Sequence, residues 1–240
     1  DLENGMILER GAVYLVELEE ILNLLSEYFA RANPKSSSGR LDIFTRLITD
    51  FGETFDNIPA GYSGRLYAEI APRAFSVLVR QGSRLNQIRV LKNTHTVERL
   101  AQNIAENKEK VHVDLAAAPI MAYKARAHTP LIDVDQVGKY VWQDFWEAIY
   151  LPENAQNSEL ILDPGAFYIL QTAENIVIPS DQAAEMLPYD TGMGEFRVHY
   201  AGFFDPGFGV AAAARGVLEV RSFEVPFVLR HGQPIARLVY

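Results

Sequence analysis

Leu8-Glu9-Arg10-Gly11-Ala12-Val13-Tyr14-Leu15 is echoed late in the chain by Leu162-Asp163-Pro164-Gly165-Ala166-Phe167-Tyr168-Ile169, and this echo decides the fold. Gly11 maps onto Gly165, an offset of 154 residues. Three further landmarks follow in the same order. Ala60-Gly61-Tyr62 reads like Pro206-Gly207-Phe208, offset by 146, and Tyr67-Ala68-Glu69-Ile70 reads like Val217-Leu218-Glu219-Val220, offset by 150. Val77-Leu78-Val79-Arg80-Gln81-Gly82 then matches Phe227-Val228-Leu229-Arg230-His231-Gly232, again offset by 150. Gly beside aromatic residues is common in turns, so one match is cheap. Four in order, at drifting but similar offsets, indicate a duplicated unit.

Each copy is built from short β-branched and aromatic runs, several alternating with period two and cut by Gly and Pro. Strands are predicted over Val13–Val16, Arg65–Ile70, Phe75–Arg80 and Gln87–Leu91 in the first copy. The second copy has Phe167–Leu170, Arg197–Phe203, Gly216–Arg221 and Ile235–Tyr240. Few helical segments exist to serve as crossovers, so the pattern predicts a mostly β chain of two tandem distorted barrel or sandwich lobes. Residues 1–92 form the first lobe, 93–111 a connecting helix and 112–240 the second lobe. The helix rests on Val97, Leu100, Ala101, Ile104 and Ala105 at helical spacing behind Thr96 as N-cap. Leu18, Ile21, Leu22 and Leu25 show the same spacing and predict a short helix on the first lobe's sheet. A third short helix is expected near Asp144–Ile149, with Trp142, Phe145 and Trp146 as packing residues.

Composition narrows the function. The 240 residues are 48% apolar and 22% charged, ordinary for a globular protein, and no apolar run approaches the ~18 residues of a membrane span. The net charge of −9 disfavours indiscriminate binding to nucleic acid or anionic membrane, so neither is an expected partner and a polyanionic ligand needs a local cationic pocket. No secretory leader follows Asp1. The absence of cysteine removes disulfides, thiolate nucleophiles and thiolate metal sites, and fits a reducing cytoplasm. Zinc nucleobase deaminases need a Cys pair, so that route is closed and no zinc is expected. His95, His112, His128, His199 and His231 show no ligand spacing, and phosphate-loop, dinucleotide and nucleophile-elbow patterns are missing.

Two stretches carry chemistry. Asn33-Pro34-Lys35-Ser36-Ser37-Ser38-Gly39-Arg40 gathers two cations, three hydroxyls and a Gly that permits close backbone approach, a set suited to phosphate oxygens. The same composition also suits a plain polar turn. Later, Arg197-Val198-His199-Tyr200-Ala201-Gly202-Phe203-Phe204-Asp205-Pro206-Gly207-Phe208-Gly209 precedes Val217-Leu218-Glu219-Val220. An Asp-Pro-Gly corner between aromatic strands makes a close-walled hairpin. Burial would raise the carboxyl pKa of Glu219 toward the range a general acid/base needs, whereas alternation alone turns this residue outward, opposite Leu218 and Val220. Lys124, Arg126 and His128 form a second small cationic cluster that reads as a solvated face, and Val210–Arg215 reads as a loop.

These stretches resemble the dCTP deaminases and the related trimeric dUTPases. Lys35-Ser36-Ser37-Ser38-Gly39-Arg40 is similar to their Arg-Ser-Ser-x-x-Arg phosphate motif. Asp205-Pro206-Gly207-Phe208 with Val217-Leu218-Glu219 resembles the deaminases' Asp-Pro-Gly-Trp-x-Gly…Val-Leu-Glu segment, whose Glu is catalytic. Leu162–Leu170, Asn175-Ile176-Val177-Ile178-Pro179 and Leu229-Arg230-x-Gly232-Gln233 are similar to the family in the same order. The resemblance implies dUTPase-like (β-clip) lobes.

The copies depart from the pattern in complementary ways. Copy one keeps the phosphate motif but lacks the hairpin Asp at Pro59-Ala60-Gly61-Tyr62, and Ala68 precedes Glu69. Copy two keeps Asp205 and Glu219 but offers Tyr189-Asp190-Thr191-Gly192-Met193-Gly194 at the phosphate position. Family sites are shared between subunits, so the resemblance implies division of labour and self-association, as a homotrimer. Lys35 to Arg40 would grip the triphosphate, while Asp205, Val217, Leu218 and Ala201 face the nucleoside and Glu219 relays the proton. His199 and Tyr200 are supporting residues, and Glu69 belongs to a reciprocal, inactive set. The expected activity is hydrolysis of dCTP to dUTP and ammonia, with Mg²⁺ accompanying the triphosphate. The alternatives are dUTP diphosphatase activity, alone or after deamination, and a non-catalytic nucleotide sensor or scaffold. The family's usual C-terminal tail is expected to be absent after Tyr240.

Overall fold

The computed structural model describes residues 2–92, 108–117, 119–152, 158–188, 196–199 and 202–240. The chain divides into two units, one of residues 1–98 with 128–144 and one of residues 99–127 with 145–240. Unit one begins with β1 (Met6–Leu8), β2 (Tyr14–Asn23), β3 (Tyr28–Pro34), the single-turn α1 (Ser36–Arg40), β4 (Ile43–Thr49), β5 (Asn57–Ile58), β6 (Ser63–Pro72), β7 (Val77–Val79) and β8 (Asn86–Lys92). The chain then forms β9 (Lys108–His112) and β10 (Ile120–Ala125) of unit two, β11 (Ile132–Asp133) of unit one, and β12 (Trp146–Tyr150) of unit two. Unit two continues with β13 (Glu159–Leu162), β14 (Phe167–Ile176), β15 (Ala184–Pro188), β16 (Phe196–His199), β17 (Phe203–Phe204), β18 (Ala214–Ser222), β19 (Phe227–Arg230) and β20 (Pro234–Val239).

The protein is mostly β, and among the described residues no sheet closes into a barrel. Unit one carries the orders β1-β7-β11, β2-β6-β4 and β5-β3-β8. Unit two carries β12-β10-β14-β18-β16, β13-β19 and β17-β15-β20-β9.

The duplication seen in the sequence is present bond by bond. Leu15 lies opposite Glu69 on β2 and β6, and Ile169 lies opposite Glu219 on β14 and β18. The next strand over places Arg46 beside Glu69 and His199 beside Glu219. The Tyr14 hydroxyl accepts from the Glu9 amide at 2.9 Å, and the Tyr168 hydroxyl accepts from the Asp163 amide at 3.0 Å. Gly11 donates to the Pro72 carbonyl at 2.8 Å, as Gly165 donates to that of Ser222 at 2.9 Å. Shared turn chemistry at Gly11 and Gly165, both at positive φ, thus launches equivalent strands.

Unit two packs its core between its sheets, with Leu162, Tyr168, Leu170, Leu218, Val220 and Leu229 all buried. Leu218 is fully buried, so Leu218→Ala is expected to cost about 2–5 kcal/mol through lost burial and the remaining cavity, read as a lower urea midpoint.

Three expectations are corrected. Leu18, Ile21, Leu22 and Leu25 do not form a helix: the first three lie on β2, where Leu18 and Leu22 are partly buried, and Leu25 lies just past its end. Apolar side chains on both faces of this strand imitate helical spacing. Asp144–Ile149 is not helical either; a 3-10 turn at Trp142–Asp144 precedes β12. Phe145 is buried and Trp146 packs on Phe167 with ring centroids 5.9 Å apart, but Trp142 is exposed. The end of the expected connecting helix, from Lys108, is strand β9, and its remainder, with His95, lies outside the described residues.

Residues 128–144, placed in the second lobe by the sequence reading, belong to unit one. There β11 pairs in parallel with β7, aligning Asp133 with Leu78. Arg80 clamps the strand, donating to both carboxylate oxygens of Asp133 at 2.8 and 2.9 Å. These bonds hold the Asp133 carboxyl below the ordinary carboxylate range. Folded Asp133 therefore binds its proton less tightly than the unfolded chain does. Its contribution is present above about pH 4 and is lost as pH falls through the lowered value. Asp133→Asn should flatten the acid limb of stability against pH, measured by thermal unfolding from pH 6 down to pH 3.

Candidate active site

Lys35 is extended and half-buried, and α1 turns immediately after it through a bond from the Gly39 amide to the Lys35 carbonyl at 3.0 Å. The turn splits the motif by role. Ser38 is buried and donates its hydroxyl to the Leu85 carbonyl at 2.8 Å, while Gly39 is buried behind it. Ser36, Ser37 and Arg40 face outward. Within the described residues Arg40 has no carboxylate partner, so its guanidinium is open to an anion.

In unit two the Asp205-Pro206-Gly207-Phe208 corner is closed by the Phe208 amide donating to the Asp205 carbonyl at 3.1 Å. Phe204 and Phe208 meet edge to face at 4.9 Å, and the Phe208 carbonyl receives the Ile178 amide at 2.9 Å. Gly209 is irreplaceable by geometry: a Cβ there would lie 2.1 Å from the Ile176 carbonyl oxygen, and its φ is +75°. Asp205 itself is exposed at the tip.

Strand β18 carries Val217, half-buried, then Leu218 and Glu219. Alternation predicts an outward Glu219, yet the residue is only 6% exposed. The cause is its place in the sheet. Strand β18 lies between β14 and β16, and from Leu218 to Ser222 every residue is buried, so both faces of the strand are covered. A carboxyl so shielded has been taken out of bulk water while keeping polar company, the setting in which protons are relayed. The backbone of His199 lies beside Glu219. Tyr200, Ala201 and the stretch 189–194 lie outside the described residues. The duplicate acid, Glu69, is half-buried.

The sequence reading missed the anchor of β18. Arg215, assigned to a loop, lies on the strand and forms an ion pair with Asp114, a largely buried carboxylate that also accepts the Ala116 amide at 2.9 Å. His231 lies 3.4 Å from the same carboxylate and accepts the Leu115 amide. The Gly216 amide donates to buried Thr172 at 2.8 Å. These contacts fix the strand just ahead of Glu219. Only a lone cation after four alanines hinted at the pair. Lys124 is no free cation, since it holds Asp163 at 2.6 Å, and Arg126 donates to the Trp146 carbonyl at 3.3 Å.

Among the described residues no three His, Asp or Glu side chains gather as a metal site, and no helix is long and apolar enough to cross a membrane.

Two like β units, a cationic turn on the first and a shielded acid on an inner strand of the second define a duplicated chain of dUTPase-like fold. Comparison with known proteins sharpens this. The model of the 2'-deoxycytidine 5'-triphosphate deaminase (DCD) N-terminal domain matches residues 1–94, and that of the C-terminal domain matches residues 83–240. The chain belongs to the 2'-deoxycytidine 5'-triphosphate deaminase family, and is therefore a hydrolytic deaminase. It is similar to a crystal structure of 2'-deoxycytidine 5'-triphosphate deaminase from Agrobacterium tumefaciens, at 48% identity and a TM-score of 0.87, covering 100% of this chain and 77% of that one. No curated protein sequence matches it.

Proposed function

We propose that the protein converts dCTP to dUTP and ammonia by direct addition of water to the ring carbon that bears the amine. Glu219 takes one proton from the attacking water and delivers it to the departing amine, the water's second proton ends on the adjacent ring nitrogen as the carbonyl forms, and the carboxylate is regenerated each turn. The observation that carries this reading is the burial of Glu219 on an inner strand, in a chain of this family. A positioned acid/base of this kind is worth roughly 10²–10⁴-fold. No zinc is required, because the water is activated by the carboxylate and held by neighbouring backbone, for which His199 to Ala201 are the candidates.

Lys35, Ser36, Ser37 and Arg40 grip the triphosphate, and Ser38 with Gly39 keeps their turn in shape. Arg40 suits a bidentate grip on paired phosphate oxygens. Asp205, Val217 and Leu218 bound the nucleoside. The phosphate grip contains no carboxylate, so Mg²⁺ arrives on the phosphate oxygens of the nucleotide rather than on protein ligands. The two sets act on one nucleotide, within a chain or between chains of a self-associated homotrimer. The reciprocal set, Glu69 with residues 189–194, is inactive because Asp190 would repel a triphosphate. A cysteine-free enzyme of nucleotide metabolism fits the cytoplasm.

Incubation of the purified chain with dCTP and Mg²⁺ tests the reading. Ammonia and dUTP in equal amounts support it. Diphosphate release from added dUTP would assign the diphosphatase reaction as well, and dCTP binding without any product would leave a sensor.

A further inference from the structure

The duplication provides an internal control for surface exposure. Val13 and Leu15 on the first copy correspond to Phe167 and Ile169 on the second. Phe167 is 1% exposed, packed against Trp146 of β12 and beneath the Arg221 guanidinium, and Ile169 is paired with Tyr123 of β10. Val13 and Leu15 are 67% and 69% exposed. Among the described residues β2 is an edge strand, with nothing at the register that β10 occupies on β14.

The stripe is not an idle remnant of duplication. It continues through Ile21 and Leu25, 68% and 64% exposed, whose counterparts in the second copy are the solvent-compatible Asn175 and Pro179. Edge strands left in water are normally blunted by Lys, Pro or inward charge, whereas this one displays aliphatic side chains at Leu15 and Ile21 beside the outward carboxylates of Glu17, Glu19 and Glu20. Two of its three acidic residues are engaged within the chain, Glu17 by Arg65 and Glu19 by Gln81 at 2.6 Å, while Glu20 is exposed to solvent.

We propose that β2 is an assembly surface, taken by a second copy of this chain through its open β12 edge. Strand β12 is the outer strand of unit two's five-stranded sheet and ends at Tyr150, 62% exposed. The chain already uses β10 and β12 together to cover the β2 counterpart, so the shape and apolar character required are its own. Pairing β2 of one copy with β12 of the next is head-to-tail, which closes into a ring when the rotation permits. This goes beyond the catalytic reading, and it names a surface where that reading names only self-association.

Sedimentation of the full chain at micromolar concentration without nucleotide tests the surface, and its outcome is independent of the dCTP assignment. The parent should sediment as a multiple of 26.9 kDa. Leu15→Glu and, separately, Tyr150→Glu should each reduce it to a single chain, while Val137→Glu, at a more open site outside both edges, leaves it assembled. Unchanged far-ultraviolet dichroism and melting of the dissociated chains would show that folding is intact. Because the protein has no cysteine, mixing Leu15→Cys chains with Tyr150→Cys chains under a short bis-maleimide should give a cross-linked dimer. A parent that sediments as one chain, a variant of either edge that assembles like the parent, or an absence of cross-linking overturns the proposal.

Discussion

Glu219→Gln is expected to abolish ammonia release from dCTP, with kcat reduced by about 10³-fold or more, while dCTP binding changes little. The replacement keeps shape and size, removes the charge and with it the ability to accept and return a proton, and exchanges one acceptor oxygen for an NH2 donor. A buried site tolerates it, because a neutral amide is easier to desolvate than a carboxylate. Quenched-flow or coupled ammonia assays give the rate, and equilibrium dialysis with dCTP gives the affinity. A variant that turns over at the parent rate removes Glu219 from the chemistry. Glu69→Gln serves as the matched control: the same register position in the first copy, predicted to leave turnover unchanged.

Arg40→Ala has the second largest expected effect, and it appears in the other kinetic parameter. A charge-assisted bond to phosphate is worth about 1.5–3 kcal/mol, so KM for dCTP should rise roughly 10- to 150-fold while kcat falls far less. Arg40→Lys should recover only part of the loss, since an ammonium cannot grip two oxygens in the guanidinium's planar fork. Ser38→Ala works differently. It frees the Leu85 carbonyl from its hydroxyl partner and should lower thermal stability as well as affinity, which separates the residue that shapes the turn from those that would touch the nucleotide. An Arg40→Ala chain with unaltered KM would show that the phosphates are held elsewhere.

The duplication was legible because glycine punctuation survives when side chains drift. Gly11 and Gly165 each sit at positive φ ahead of equivalent strands, and only their backbone role had to be kept. The strands were legible for the same reason, through their turns and their alternation. Strand β2 was misread because Leu15 and Ile21 add aliphatic side chains to its exposed face, so the apolar residues of the two faces together fall at helical spacing. Glu219 was misjudged by alternation because period two reports inward and outward only when one face of a sheet is open, and β18 is covered on both. The Arg215–Asp114 pair spans 101 residues of sequence, and no local pattern announces such a bond. Parallel pairing of the two-residue β11 with β7 is likewise too short to leave a periodic trace.

The central claim is that an anion grip in the early half and a shielded acid in the late half serve the same nucleotide. A crystal structure of the Glu219→Gln chain with dCTP and Mg²⁺ tests it most directly, because the substitution is expected to stop turnover and hold the substrate in place. The account predicts the triphosphate on Ser36, Ser37 and Arg40, and the amine-bearing carbon of the same dCTP molecule within hydrogen-bonding reach of the residue 219 side chain through one water. Phosphates bound away from Arg40, or a pyrimidine ring whose amine faces some other group, would contradict it.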